Sequence, residues 1–210
     1  MILYLVPARG GSRRLPGKNL KKFGGLPLVV RAMFRAKLTA DLVGGDSRVV
    51  VSTDSEAIAS AVQVYDRFEI GGLLMRPAEL ATDEATSEQV AIHAIETLGN
   101  VDTVVLIQPT SPLVMAEHIA GIVRAYLHDG WPRKLCAEGS SVPCGAGYVT
   151  SAAYLLRGGL FCDGLPVPIP RYQSYDIDTQ LDWDSAAALY EDMQYQQPAW
   201  HERYGVKGAR

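Results

Sequence analysis

Three short apolar runs, each cut off by a polar break, constrain the fold of this chain more tightly than its composition does. Ile2 to Val6 runs into Pro7-Ala8-Arg9. Arg48-Val49-Val50-Val51 ends at Ser52-Thr53-Asp54, and Thr103-Val104-Val105-Leu106-Ile107 ends at Gln108-Pro109-Thr110-Ser111-Pro112. Apolar runs this short, bounded by turn-forming residues, read as buried strands. After the second run, Ala57, Ile58, Ala61 and Val62 share one helical face, with Asp54 or Ser55 available as a cap. A helix from about Thr86 to Leu98 buries Val90, Ala94, Ile95 and Leu98, and another covers Ala116 to His128. Strands alternating with helices predict a doubly wound α/β fold: a mainly parallel sheet, helices on both faces and right-handed crossovers. With 210 residues and 48% hydrophobic content, the chain has core enough for one such domain, residues 1–210.

Beyond Gly130 the pattern weakens. Trp131 to Gly145 mixes proline, glycine, two cysteines and charge, and predicts no element. Gly147-Tyr148-Val149-Thr150 and Tyr175-Asp176-Ile177-Asp178 each read as a short strand. Thr179 can cap a last helix carrying Ala187, Leu189 and Tyr190, with Asp182 and Asp184 as first-turn acids favoured by the helix dipole. The tail after Gln197 reads as irregular.

Composition removes several function classes. No apolar run approaches the roughly 18 residues of a membrane span. No basic region precedes the apolar N-terminal stretch, so a cytoplasmic protein without signal peptide or membrane contact is expected. Cys136, Cys144 and Cys162 are odd in number, lack Cys-x-x-Cys spacing and read as reduced thiols. A net charge of −3 and an isoelectric point near 5.8 argue against the broad basic footprint that nucleic acid requires. The four histidines (His93, His118, His128 and His201) read as helix-face or tail residues.

The chemistry concentrates after the first strand. Pro7 to Leu20 holds four cations, Arg9, Arg13, Arg14 and Lys18, among three glycines, a serine and an asparagine. Nine basic residues precede the first acid, Asp41. Glycines let a backbone turn its N–H groups inward toward an anion, and Arg and Lys supply the charge that a polyphosphate requires. Asn19 stands where a Walker loop places Ser or Thr, and no Gly-x-Gly-x-x-Gly follows the strand, so this cradle is neither a P-loop nor a dinucleotide fingerprint. In an open parallel sheet ligands bind beyond the carboxyl ends of the strands, where the three polar breaks converge.

Near the other end, Asp176-Ile177-Asp178 places two carboxylates at i and i+2. On extended backbone these share a face with Cα atoms roughly 6.5–7 Å apart. Such a pair can hold a divalent cation whose remaining positions go to water. A polyphosphate cradle with an Asp-x-Asp pair points to nucleotidyl transfer, which depends on in-line positioning and on offsetting leaving-group charge.

Five segments in order resemble the acylneuraminate cytidylyltransferases, the CMP-sialic acid synthetases, with CMP-Kdo synthetases as more distant relatives. They are Ala8-Arg9-Gly10-Gly11-Ser12 through Lys18-Asn19-Leu20, Val51-Ser52-Thr53-Asp54, Arg76-Pro77-Ala78-Glu79-Leu80, Leu106 to Pro112, and Asp176-Ile177-Asp178-Thr179. The resemblance implies CTP, Mg²⁺ and an acidic 2-keto-3-deoxy sugar whose anomeric hydroxyl attacks the α-phosphate. It assigns the triphosphate to Arg9, Ser12 and Lys18, with Arg13 or Arg14 adding pyrophosphate contact. Asn19, Arg76 and Ser87 fall to the cytidine site, Gln108 faces the acid sugar, and Asp176 and Asp178 carry the metal. Lys18, Arg9 and Asp178 form the catalytic group, with Asp178 assisting deprotonation. Two departures stand out. Val114 replaces the family's arginine after Pro-Thr-Ser-Pro-Leu, and the dimerisation-arm interval is reduced near residues 131–146, with Cys144 to Val149 where an Asn-Gly stretch belongs. A homodimer and the identity of the sugar therefore stay open. A CMP-Kdo-type acceptor and a catalytically inactive nucleotide-binding module are the alternatives.

Overall fold

Four consecutive side chains of the first strand, Leu3 to Val6, are closed off from solvent, so this strand must lie inside a sheet covered on both faces. The computed structural model describes residues 1–65 and 71–194. Its elements run β1 (Ile2–Pro7), β2 (Lys22–Phe23), β3 (Leu26–Pro27), α1 (Leu28–Val43), β4 (Ser47–Thr53), α2 (Glu56–Tyr65), β5 (Gly72–Met75) and α3 (Ser87–Leu98). There follow β6 (Thr103–Leu106), α4 (Ala116–Asp129), β7 (Arg133–Ala137), β8 (Pro143–Ser151), α5 (Ala152–Leu156), β9 (Leu165–Ile169) and α6 (Gln180–Gln194).

Seven strands form one sheet in the order β5-β4-β1-β6-β8-β7-β9. β1 pairs in parallel with β4, Leu5 opposite Val50, and with β6, Leu5 opposite Leu106. β8 runs antiparallel to both β6 and β7, whereas β9 is parallel to β7. The fold is α/β with a mainly parallel sheet. From β1 the chain steps outward to β4 and β5 and then returns to β6 on the other side of β1. That reversal opens a crevice between the loops that follow β1 and β6.

The period of two in β1 builds two cores. Tyr4 and Val6 pack with residues of α1, α2 and α4, and Leu3 and Leu5 with residues of α3 and α5. A third, smaller cluster joins Leu15 and Phe23 from the front of the chain, Leu113 from the middle, and Ile177, Ala186 and Tyr190 from near the end. This cluster carries the basic stretch and the Asp-x-Asp segment to the same place.

Several elements differ from the sequence reading. α1, β5 and β9 fill stretches whose local pattern predicts no element. In α1 the apolar pattern is broken by Arg31 and Arg35, yet Arg35 is buried and Arg31 lies over the rings of Phe23 and Tyr190, at 5.4 and 4.5 Å from their centroids. The segment 131–145 contributes β7 and the start of β8, since their cross-strand bonds supply the order that local propensity lacks. Tyr175 to Asp178 joins no ladder. Its polar groups go elsewhere, with Ile177 N donating to Thr110 O at 2.8 Å. Val114 is core, 4% exposed. In β9, Leu165 N donates to Pro132 O, which turns the N positions of Pro166 and Pro168 to the open side, where no donor remains to recruit another strand. The tail after Gln197 and His201 lie outside the described residues. Among the described residues no helix is long and apolar enough to cross a membrane, and the three cysteines are free thiols.

The caps follow the sequence. Thr86 and Gln89 close a capping box on α3. At α6, Asp182 N donates to Thr179 Oγ1 at 3.2 Å, while the Asp182 carboxylate accepts from Thr179 N at 2.7 Å and from Asp178 N at 3.1 Å. Asp182 is thus a cap partner rather than only a dipole-favoured acid. Thr179→Ala should cost about 1 kcal/mol, lowering the melting temperature by about 2–4 °C in a calorimetric scan.

Candidate active site

A cleft of about 560 Å³ opens at the carboxyl ends of β1 and β6, a size that takes a small organic ligand. The loop after β1 contributes Arg9, Ser12, Arg13, Arg14, Lys18 and Asn19 to its lining. Arg76 follows β5, Ser87 begins α3, Gln108 follows β6, and Asp176 and Asp178 precede α6. All eleven residues singled out from the sequence line this one cavity. Five cations, Arg14 included, face three carboxylates, the third being Asp83.

The front and back of the chain meet at Lys18. Gly17 takes the left-handed conformation, φ 66°, and turns the chain into the short helical turn Lys18–Leu20. Lys18, only 8% exposed, donates through Nζ to Ile177 O at 2.5 Å and to Asp178 Oδ1 at 2.9 Å. Arg14 donates to Asp178 Oδ2 at 2.7 Å. Both oxygens of Asp178 therefore sit against cations. Arg9 and Arg13 pair instead with Asp83, and the hydrogen bond from Arg9, joined by the charge of Arg13, holds the Asp83 carboxyl below the usual carboxylate range.

Other groups build the walls. Asn19 Nδ2 donates to Arg9 O at 2.9 Å, and its buried Oδ1 has no donor among the described residues. Arg76 donates to Ser52 O at 2.7 Å and to Leu80 O at 3.2 Å, so most of its guanidinium is committed to backbone; burial lowers its pKa, with Asp54 opposing. Gln108 Nε2 donates to Ser87 Oγ at a long 3.5 Å, and its backbone carbonyl accepts from Arg35 at 3.2 Å. Burial pushes the Arg35 guanidinium down to about 9, with neighbouring Arg31 adding to the effect. Partial burial of its carboxyl against the cleft wall raises the Asp176 pKa, the hydrogen bond from Thr110 opposes this, and the charge of Asp178 adds to the rise. Asp176 keeps an exposed surface, so water in the open cleft moderates that shift.

Two expectations about the loops need correction. Gly10 N donates to the Asp54 carboxylate at 2.9 Å, so that donor is committed within the protein. A Cβ on Gly10 would lie 2.8 Å from Ser55 Cβ; this glycine permits close approach of two loops rather than of an anion. The break after β4 braces the first loop from behind and does not line the cavity.

The sequence gives no individual role to Asp83, Thr110, Arg35 or Gly145. Asp83 and Arg35 carry no local signal, because their partners lie far away in the chain. Gly145 has φ +75°, and a Cβ there would stand 2.6 Å from Gln108 Oε1 and 3.3 Å from Ser111 Oγ. Gly145→Ala would strain the backbone and push Gln108 aside, costing about 1–3 kcal/mol of stability, read as a lowered melting temperature in a calorimetric scan.

Among the described residues no group of three or more His, Cys, Asp or Glu side chains could hold a metal. The Asp176/Asp178 pair is a two-carboxylate donor set. It suits Mg²⁺, which binds through one or two carboxylates and completes its shell with substrate phosphates and water.

The cytidylyltransferase family model matches residues 3–147. The chain belongs to that family. Among its relatives, the N-acylneuraminate cytidylyltransferase of Escherichia coli O18:K1:H7 is 34% identical over 125 residues, covering 60% of this chain and 28% of that protein. The CMP-N,N'-diacetyllegionaminic acid synthase of Legionella pneumophila is 28% identical across 90% of this chain and 96% of its own length. A 3-deoxy-manno-octulosonate cytidylyltransferase of Rhodopseudomonas palustris is 35% identical over 127 residues, 60% of this chain and 47% of that one. This cytidylyltransferase-family chain therefore spans less than half the length of two of these relatives and nearly all of the third. Among solved structures, CMP:2-keto-3-deoxy-manno-octonic acid synthetase complexed with CTP superposes with a TM-score of 0.70 at 16% identity, over 91% of this chain and 98% of the other. A cytidylyltransferase from Leptospira borgpetersenii gives 0.64 at 18% identity, over 95% of each. At those identities the likeness establishes the fold.

Proposed function

We propose that the protein transfers the cytidylyl group of CTP to the anomeric hydroxyl of an acylneuraminate-type 2-keto-3-deoxy acid sugar, giving the CMP-sugar and pyrophosphate. The observation that carries this reading is the 2.9 Å contact between Lys18 and Asp178 inside a cleft that also holds Arg9, Arg13 and Arg14. Cations for a triphosphate and carboxylates for the attacking group stand within one hydrogen bond of each other.

The reaction forms a bond from the sugar hydroxyl to the α-phosphorus and breaks the bond from that phosphorus to the bridging oxygen of the pyrophosphate. Lys18, Arg9, Arg13 and Arg14 offset the charge that gathers on the leaving group. Ser12 adds a hydroxyl donor beside them, and Asn19, Arg76 and Ser87 form the cytidine side. Gln108 orients the acceptor, and Asp178 takes its hydroxyl proton. Asp176 and Asp178 would hold Mg²⁺, which supplies further neutralisation of phosphate oxygens. The relatives support the acceptor class, since each is named for an acid sugar.

The Rhodopseudomonas likeness favours a second reading with an octulosonate acceptor, and Leu15-Pro16-Gly17-Lys18 is compatible with it. A binding module without turnover is less consistent, because nucleotide binding alone gives no use for the Asp176/Asp178 pair. The test is pyrophosphate release from CTP and Mg²⁺ with N-acetylneuraminate, legionaminate and octulosonate acceptors, singly and in competition. Release with at least one acceptor is expected. Folded protein that binds CTP and releases none across the panel contradicts the enzyme reading.

A further inference from the structure

Two of the cleft's arginines are held by a carboxylate for which the proposed reaction has no use. Asp83 lies between the short turn Ala78–Leu80 and α3 and lines the cleft. One of its oxygens pairs with Arg9 and the other with Arg13 Nε, the latter at 2.5 Å. The other two cations of the loop after β1, Arg14 and Lys18, pair with Asp178. Each aspartate thus balances two of the four cations.

A carboxylate that spans two guanidinium groups places anionic oxygens where a phosphate group bridging the same arginines would place its own. Two opposite outcomes follow from that geometry. Asp83 can hold Arg9 and Arg13 ready for a phosphate, in which case its charge helps binding. It can also compete with the phosphate for both arginines and repel it, in which case its charge opposes binding. Exposure decides between them. The Arg13 side chain is 85% exposed and that of Asp83 27%, so as an ordering device the pair is weak. The repulsion between Asp83 and a polyanion persists after the pair opens, because both remain on the same cleft wall.

We propose that Asp83 is a displaceable internal counter-ion: it occupies the place of an anionic group on Arg9 and Arg13, yields them to the incoming polyphosphate, and recaptures them as pyrophosphate departs. This rests on reading the cleft as the CTP site and extends it to product release. Asp83 is a positioning residue that acts through the two arginines. Its effect falls on pyrophosphate more than on the bond-forming step.

The experiment is calorimetric titration of pyrophosphate, and separately of CTP, into the wild-type chain, Asp83→Asn and the loop control Glu84→Gln, each first confirmed folded by thermal unfolding. Asp83→Asn should bind pyrophosphate about fivefold or more tightly than wild type, with a smaller gain for CTP and no change in Glu84→Gln. In turnover the same variant should be inhibited by correspondingly lower pyrophosphate. Equal or weaker pyrophosphate binding by folded Asp83→Asn overturns the inference and makes Asp83 a strut, while CTP binding by wild type would leave the nucleotide reading intact. If wild type binds neither ligand, the nucleotide reading fails and takes this inference with it.

Discussion

Asp178→Ala is expected to lower kcat by about a thousandfold or more while CTP affinity stays within a few fold of wild type. The side chain is a junction: Lys18 holds one oxygen at 2.9 Å and Arg14 the other at 2.7 Å. Truncation removes the proposed proton acceptor and one of the two carboxylates proposed to hold Mg²⁺, so the chemical step loses groups it needs. It also frees two cations and deletes a negative charge facing the triphosphate, which favours nucleotide binding. The opposing signs separate the two effects. Steady-state rates paired with calorimetric CTP titration measure them, and a parallel fall in affinity and turnover would show that Asp178 mainly holds the fold of the cleft.

Lys18→Ala should act in the opposite order, weakening CTP binding by about tenfold to a hundredfold and turnover with it. Lys18 is buried, and its ammonium satisfies the Ile177 carbonyl as well as Asp178. Truncation leaves that buried acceptor without its donor and costs about 1–3 kcal/mol of stability. Arginine does not restore the site, because a planar guanidinium cannot reproduce two bonds made by a compact ammonium at the end of a straight stem. Melting temperature and CTP affinity read from the same preparations distinguish a lost phosphate contact from a loosened fold. An unchanged CTP affinity in a folded variant would remove Lys18 from the nucleotide site.

The parts legible in the sequence are those whose signals are local. β1, β4 and β6 announce themselves as apolar runs closed by polar breaks, and Thr86 and Thr179 mark the starts of α3 and α6 through caps a few residues long. The parallel topology brings the loops after β1 and β6 to one end of the sheet, which joins the basic stretch to Gln108, whereas the break after β4 lies behind the first loop and off the cavity wall. What stayed hidden depends on distant partners. α1 is masked because Arg31 and Arg35 interrupt its apolar face, and only tertiary contacts, with aromatic rings for one and the Gln108 carbonyl for the other, make burying them tolerable. β7 gains its order from β8 and β9 rather than from its own residues. The spacing of Asp176 and Asp178 predicts a strand, whereas the segment is held outside any ladder by Lys18 and Thr110. Asp83 carries no sequence signal, since its role is set by arginines some seventy residues earlier in the chain.

Phosphorus NMR of the wild-type chain with CTP, Mg²⁺ and an acid sugar reads cytidylyl transfer itself. The three CTP resonances should give way to pyrophosphate and to one phosphodiester resonance of a CMP-sugar in equal molar amounts, with no orthophosphate. CTP that binds but stays intact with every acid sugar, or that decays only to CDP and orthophosphate, would contradict the proposed transfer.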